Sequence, residues 1–510
     1  MVLASAPYLV AYILTPQGEV FSGFLSNPQD GNSYLAKMRQ GFDGGWLFHN
    51  TYTAEEHGRA PLFLLHILLG KATALFGIDL IFVYHLARII FGLILLISVH
   101  CLYVKFTSDR MVRRSAFLIL AFGSGLSWLT VFWGHTGTDL TIPESNVFHE
   151  LFANPHFTFG QAAFVWALLF YIQAIEEKKS RNGVIAGALM MVAVIAQPFV
   201  YITMAVLGLV WGALSLRSED SGIYLGTVLK TYALVVLIPL PYLLVAYLFL
   251  YEDPVLARWT SQNITLSPPP WDYIIGGGFP LLLTIFGAKT LWRRDGVGPT
   301  QGRFILAWLI AMYLLVYFPV AFQRRLSIGM SIPLSLAAGF GLMRMVEWTG
   351  SRRAVRAVAL GFCIPTSLFL ITISVVGALY LRSPFYIPED EVRAYNWLRE
   401  NTQKEDVVLA GEVAGNQIPA WTGRRVVWGH PFETIDSERK RKLVEDFYTG
   451  RLSSEESVRT LTDTGATILY YGKREHQMGT LPTGIDTVIH PIYKDDDVEI
   501  FRIDRGALKR

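Results

Sequence analysis

Long apolar runs recur along this chain, and they limit what it can fold into more than any other feature. They fall at about residues 2–15, 60–77, 81–105, 114–133, 159–176, 183–199, 200–216, 223–250, 273–292, 304–322, 327–346 and 354–381. A helix of about 20 apolar residues crosses the hydrocarbon core, and in lipid its backbone must satisfy its own hydrogen bonds. Composition agrees: 52% of the 510 residues are hydrophobic and only 17% are charged, against roughly a quarter charged in soluble domains. The expected fold class is a mainly α polytopic membrane protein. Cys101 and Cys363 both lie in apolar runs, so neither a disulfide framework nor a Cys-based metal site is available. No nucleic-acid-binding motif occurs, and no nucleic-acid partner is expected.

The net charge of +3 is small, so its distribution matters more than its sum. Basic residues gather on the cytoplasmic side of membrane proteins. Here they cluster at Lys105, Arg110, Arg113 and Arg114; at Lys178, Lys179 and Arg181; at Arg217; at Lys289, Arg293 and Arg294; and at Arg344, Arg352, Arg353 and Arg356. If residues 60–77 crossed the bilayer, these clusters would share a side with the polar opening loop, residues 16–80. If "PLFLLHILLGKATALFGI" instead lies along the interface, every cluster faces the cytoplasm together. His66 and Lys71 suit an interfacial helix, because lysine snorkels at the membrane edge and is costly at its centre. This predicts about eleven spans, with the N-terminus inside and the opening loop and C-terminal tail outside. The first run, "MVLASAPYLVAYIL", is short and contains Pro7. It reads as a truncated or tilted segment, and it lacks the basic start of a secretory signal.

After residue 382 the pattern changes. A Pro-punctuated linker leads into an amphipathic helix, strands at "DVVLAG", "RRVVWG" and "TILYYG", helices around 434–448 and 454–463, and a strand pair near 488–503. Helices alternating with short β-branched strands predict a small α/β domain. The expected division is thus a membrane domain over 1–381 and an extracytoplasmic α/β domain over 382–510. The latter has no GxGxxG and no P-loop, and reads as a capping or substrate-guiding domain.

The chemistry-bearing residues lie in the outer loops. Asp30 follows the first run closely and reads equally as a helix N-cap or as a general base tuned by the interface. Asp43 in "GFDGGW" reads as a turn residue. Lys37 and Trp46 share this loop, Lys37 as a substrate contact and Trp46 as a sugar-stacking platform or part of the aromatic belt. The second loop, 134–160, carries Asp139, Glu144 and His156. Its Asp, Glu and His could hold a divalent cation, though their spacing defines no site; no other cofactor is read. The short "FQRRLS" puts Arg324 and Arg325 on the outer side, against the positive-inside rule. A phosphate ligand would offset that cost, since arginine presents a fork of donors matched to phosphate; contact with lipid headgroups is the other reading.

The early span, the large outer loop with an Asp near its start, "APLFLLHILLG...LFGIDL...HLARII" and the terminal domain resemble the GT-C superfamily over about residues 1–381. These are membrane glycosyltransferases that use polyprenyl-phosphate sugars, such as protein O-mannosyltransferases, oligosaccharyltransferase catalytic subunits and aminoarabinose transferases. "NPHF" and "GHPFET" are similar to segments of bacterial membrane proteins of this class. The resemblance implies transfer of a hexosyl or pentosyl group to a lipid, glycan or protein acceptor at the outer face of the plasma (inner) membrane. It implies Asp30 as the base, Asp139 or Glu144 in support, and Arg324 or Arg325 on the donor phosphate. Two departures stand out. Gly31 follows Asp30, where the family has an Asp-Glu pair, and no WWDYG-type motif occurs, which argues against an oligosaccharyltransferase. The competing readings are a transporter or flippase for a lipid-linked or anionic substrate, and a non-catalytic scaffold. The first would show internal repeats and ionisable residues within spans; here no clear repeat appears, and the ionisable residues concentrate in outer loops.

Overall fold

The computed structural model describes residues 1–217, 224–293, 299–380 and 383–509. Arg294 of the basic clusters lies outside the described residues, as do residue 223, residue 381 and the expected division at 381/382. The apolar runs fold as helices. Leu80–Phe106, Arg110–Trp133, Pro155–Glu176, Leu225–Glu252, Pro270–Trp292 and Gln323–Thr349 are each long and apolar enough to cross a bilayer. Arg352–Cys363 and Pro365–Tyr380, bent by 41° at their junction, make a seventh if taken as one span. The protein is therefore an integral, multi-pass membrane protein, with six or seven such helices among the described residues where about eleven spans were expected. The shortfall is one of length. Val2–Ile13, Ser180–Ala196, Val200–Leu216 and Thr300–Leu315 are apolar, but at 1.5 Å per residue the longest reach about 25 Å, short of a roughly 30 Å core.

The chain packs as two compact units interleaved in sequence. The first comprises Met1–Ala6, His85–Leu244 and Ile264–Ser374; the second comprises Pro7–Tyr84, Val245–Asn263 and Val375–Arg510. Among its described residues the first unit has helices and connecting loops but no strands. Its helix Pro270–Arg293 breaks at Gly278, where φ is +45°. A Cβ there would meet the Cα of Gly125 at 2.7 Å, so only glycine allows this backbone to turn and approach. Leu126 N–H then donates to Ile275 O at 2.9 Å, which ties the loop before Asp139 to the break.

The second unit joins the opening loop to the C-terminal part. The strand β1 (Glu19–Phe21) pairs antiparallel with β2 (Tyr386–Pro388). A five-stranded mixed sheet follows, built from β3 (Val407–Leu409), β4 (Arg425–Val426), β5 (Ile468–Tyr471), β6 (Ile489–Asp495) and β7 (Val498–Ile503), in the order β4-β3-β5-β7-β6. Strands β3 and β5 are parallel and buried at every position, which is why they read as unbroken apolar runs rather than alternating ones. The helices expected near 434–448 and 454–463 are Ser437–Tyr448 and Ser454–Asp463. The helix Glu412–Thr422 was not foreseen. Phe24, Tyr34, Leu35, Met38 and Tyr84 share one core with Ile387, Tyr395, Leu398, Val408, Ile418 and Ile468. The segment 60–77 forms the short helix Leu64–Phe76 within this unit. It lies close against the helix Pro28–Phe42: a Cβ on Gly70 would sit 1.8 Å from Met38 O, and one on Gly41 2.0 Å from Ile67 O.

Candidate active-site clusters

The helix Pro28–Phe42 starts one turn earlier than an Asp30 cap would place it. Asn27 is its N-cap, in the left-handed region at φ +44°, and accepts from Asp30 N–H at 3.5 Å. Pro28 occupies the first helical position, where its fixed φ suits a helix and its missing N–H costs nothing. The cap reading of Asp30 is thus corrected: Asp30 lies in the first turn of the helix, after the Asn27 cap. Asn27 Nδ2–H donates to its Oδ2 at 2.5 Å. The next residue must be glycine, because a Cβ on Gly31 would lie 2.4 Å from the Phe24 ring. The ring fills the space that the second acid of a family Asp-Glu pair would need.

Opposite Asp30, the segment Gly429–Thr434 forms a tight turn. Thr434 Oγ1 accepts from the N–H groups of Gly429 and His430, both at 3.3 Å, and donates to Tyr52 O at 2.8 Å. Gly429 lies against Gly415 of the helix Glu412–Thr422, where a Cβ would meet Gly415 O at 2.1 Å. The turn sets the tautomer of His430. Its Nδ1 accepts from the N–H groups of Phe432 at 3.1 Å and Glu433 at 3.2 Å, so the proton sits on Nε2. That N–H donates to Asp30 Oδ1 at 3.0 Å. The His430 side chain is 3% exposed and that of Asp30 38%. A buried neutral imidazole therefore orients a carboxylate that solvent can reach.

Two turns further along the helix, Lys37 and Glu433 form a buried ion pair at 2.7 Å, with Ser33 donating to the same oxygen at 2.9 Å. Lys37 also donates to Ser33 at 2.7 Å, and its ammonium lies 4.0 Å from the centre of the Phe63 ring. Burial pushes the Glu433 carboxyl up, but Lys37 and the Ser33 hydroxyl hold it below its ordinary value. The structure commits Lys37, expected as a substrate contact, to Glu433. Asp43 caps the C-terminus of this helix, and burial pushes its carboxyl up. Trp46 is largely exposed, and Lys71 Nζ stands 3.9 Å from its ring centre. A cation covers one ring face, which leaves the other for stacking. His430 and Glu433 carried no local periodic signal; the "GHPFET" turn was their only mark in the sequence.

The first unit holds the remaining expected residues. Glu144, 3% exposed, pairs with Arg325, 27% exposed, at 2.5 Å. Arg324 has no ion pair among the described residues; its backbone N–H donates to Thr265 O at 3.1 Å, and its buried Nε has no partner. Asp139 is buried, accepts from Ser127 at 2.5 Å, and leaves Oδ2 without a partner. Burial pushes its carboxyl up to about 6. Glu150 is buried too, and its carboxyl is pushed well up by burial and then by Glu144. His156 lies buried in the first turn of Pro155–Glu176. Of the acids and arginines expected in this unit, Glu144 and Arg325 are brought together, while Asp139 bonds to Ser127.

No family model matches the chain, and no curated protein matches it in sequence. Solved structures do. The Archaeoglobus fulgidus oligosaccharyltransferase, tethered to an acceptor peptide containing the NVT sequon, matches with a TM-score of 0.55 at 13% identity, over 92% of this chain and 68% of that one. The same organism's AglB, in complex with an inhibitory peptide and a dolichol-phosphate, matches with a TM-score of 0.53 at 13% identity, over 99% and 74%. ArnT from Cupriavidus metallidurans, bound to undecaprenyl phosphate, matches with a TM-score of 0.52 at 12% identity, over 99% and 98%. The chain shares the fold of these solved structures. At these identities the likeness is one of fold, and it agrees with the resemblance seen in the sequence.

Another A. fulgidus oligosaccharyltransferase crystal, matching with a TM-score of 0.55 at 13% identity, holds Zn and sulfate. The donor set for such an ion does not assemble here. Among the described residues no three His, Cys, Asp or Glu side chains gather to hold a metal, and the Phe24 ring occupies the place beside Asp30 where a second carboxylate would stand.

Proposed function

We propose that this protein transfers a sugar from a polyprenyl-phosphate donor to an acceptor at the outer face of the membrane. The observation that carries the reading is the reachable Asp30 carboxylate, held from behind by the Nε2–H of His430 in a chain of GT-C fold. In the proposed step the acceptor hydroxyl oxygen attacks the anomeric carbon, and the bond from that carbon to the phosphate oxygen breaks. The acceptor proton passes to Asp30, and polyprenyl phosphate leaves with the bonding electrons. The resemblance implies inversion. His430 takes no proton in this scheme. Its Nδ1 lone pair is used by two backbone N–H groups, so it acts as a positioning residue.

For the phosphate, Arg324 is the better candidate of the pair. Glu144 already neutralises Arg325, whereas Arg324 keeps an uncommitted fork of donors. Glu144, expected in support of the base, is assigned instead to holding Arg325. We place the protein in the plasma (inner) membrane with the second unit extracytoplasmic, and the acceptor is a lipid, glycan or protein.

The test is to incubate purified full-length protein with a panel of polyprenyl-phosphate sugars and to measure released polyprenyl phosphate. Release with one donor, abolished by Asp30→Asn, supports the reading. No release with any donor and acceptor mixture overturns it.

A further inference from the structure

Away from these clusters, the first unit carries a groove of about 450 Å³ lined by His100, Arg110, Arg113, Arg114, Phe117 and Leu118. It lies where the helix Leu80–Phe106 gives way to the helix Arg110–Phe122. The spacing explains its make-up. Positions 110, 113, 114, 117 and 118 follow the three- and four-residue steps of one helical stripe. Three guanidinium groups occupy the start of that stripe, and two apolar side chains continue it toward the middle of the span. His100 closes the groove from the other helix, its ring edge-on to Phe117 with centres 5.9 Å apart.

Among the described residues no carboxylate forms an ion pair with Arg110, Arg113 or Arg114. Arg113 donates to Thr107 O at 3.0 Å, and Asp109 spends its carboxylate on the N–H groups of Met111 and Val112. Arg110 and Arg114 are exposed. Three neighbouring cations repel one another, and the apolar strip beneath them gains nothing from water. An anionic headgroup over the arginines with an acyl chain along Phe117 and Leu118 relieves both costs. A soluble anion would leave the apolar strip uncovered, and a zwitterionic lipid would leave the charge.

We infer that this groove is a binding site for one anionic phospholipid, of the leaflet that the basic clusters assign to the cytoplasm. Basic pockets between span ends on that side are suited to such headgroups. The site is independent of the proposed sugar transfer and needs no substrate for its test.

Full-length protein in non-ionic detergent is titrated with dioleoylphosphatidylglycerol, dioleoylphosphatidylcholine or inorganic phosphate while thermal unfolding is followed. The phosphatidylglycerol arm raises Tm saturably, and the other two leave it in place. The Arg110→Gln/Arg114→Gln variant unfolds at the wild-type temperature without lipid, and its half-saturation rises on the order of 25-fold, the loss of two surface cation–anion contacts. Should that pair unfold early, Arg114→Gln alone carries the test with an effect of about fivefold. An Arg352→Gln/Arg353→Gln control keeps the wild-type response. The site is overturned by an equal response to phosphatidylcholine, by a full response to inorganic phosphate, by a response retained in the Arg110/Arg114 variant, or by one lost equally in the control.

Discussion

His430 donates its Nε2–H to Oδ1 of Asp30 at 3.0 Å, although 400 residues separate the two in sequence. The bond depends on the tautomer, which the Phe432 and Glu433 N–H groups fix by occupying Nδ1. Removing the donor raises the carboxyl's affinity for its proton. His430→Leu is therefore expected to move the acidic limb of the kcat/KM profile up by about one pH unit, with kcat reduced and the acceptor KM little changed. His430→Gln, which can still present an N–H to Asp30, restores part of the wild-type profile. Identical profiles for Leu and wild type would remove His430 from the positioning role.

Asp30→Asn keeps the shape of the side chain and an acceptor for His430 but cannot take a proton. Loss of a general base costs about 10²–10⁴-fold in rate. The unfolding temperature should be unchanged, because the Asn27 cap, and not Asp30, begins the helix. Polyprenyl phosphate release and a thermal melt on the same preparation check both halves.

The two ends of this dyad were unequally legible. Asp30 stands out because a polar loop interrupts an apolar chain close to its start. His430 lies in a turn whose form depends on Thr434 reaching Tyr52 and on Gly429 meeting Gly415, contacts with no local periodicity. The helix Glu412–Thr422 was hidden for a related reason. Gly415 and Pro419 weaken its intrinsic propensity, and burial of Ala414, Ile418 and Ala420 in the shared core sustains it. Spans such as Leu80–Phe106 were readable because the bilayer demands continuous apolar length. The shorter helices fall below that length, and an apolar run does not reveal how far its helix extends. Asn27 was passed over as the cap because "NPQD" offers two acceptable caps, and only the backbone distinguishes them.

Arg325 and Glu144 are expected to behave as a unit. Arg325→Gln leaves the buried Glu144 carboxylate unpaired and should lower stability by about 2–4 kcal/mol, somewhat less than for a fully buried pair because Arg325 is partly exposed. Glu144→Gln/Arg325→Gln removes both charges and should recover most of the loss. Arg324→Gln should leave stability nearly unchanged and raise KM for the lipid donor about tenfold or more. A donor KM that responds to Arg325 rather than Arg324 would reverse the assignment.

Lys37 and Glu433 make a prediction about pH. The folded Glu433 carboxyl sits below its unfolded value of 4.5, with burial opposing and Lys37 prevailing. Its contribution is therefore fully present above about pH 4.5 and is lost as pH falls through the folded value. Relative to wild type, Lys37→Met/Glu433→Gln should lose less stability between about pH 5 and pH 3. Glu433→Gln alone strands a buried ammonium and should cost about 3–5 kcal/mol at neutral pH. Parallel melting curves for wild type and the double variant across that range would refute the coupling.

Asp139 has the opposite sign. Burial raises its carboxyl from 3.8 to about 6, so the folded protein holds this proton more tightly than the unfolded chain does. Stability is then lost as pH rises from about 4 through 6 and stays lost above. Asp139→Asn keeps an acceptor for Ser127 and abolishes the ionisation. At pH 7.5 the variant should melt above wild type, with a gain of at most about 3 kcal/mol, and the gap should close near pH 4. A gap independent of pH would mean that Asp139 does not ionise in this range. The same variant decides a catalytic question. Asp139 bonds to Ser127, and its second oxygen is buried without a partner, a poor place from which to receive a proton from an acceptor. Turnover by Asp139→Asn should accordingly stay within about twofold of wild type, against the 10²–10⁴-fold loss expected for Asp30→Asn, which would leave Asp30 alone in that role.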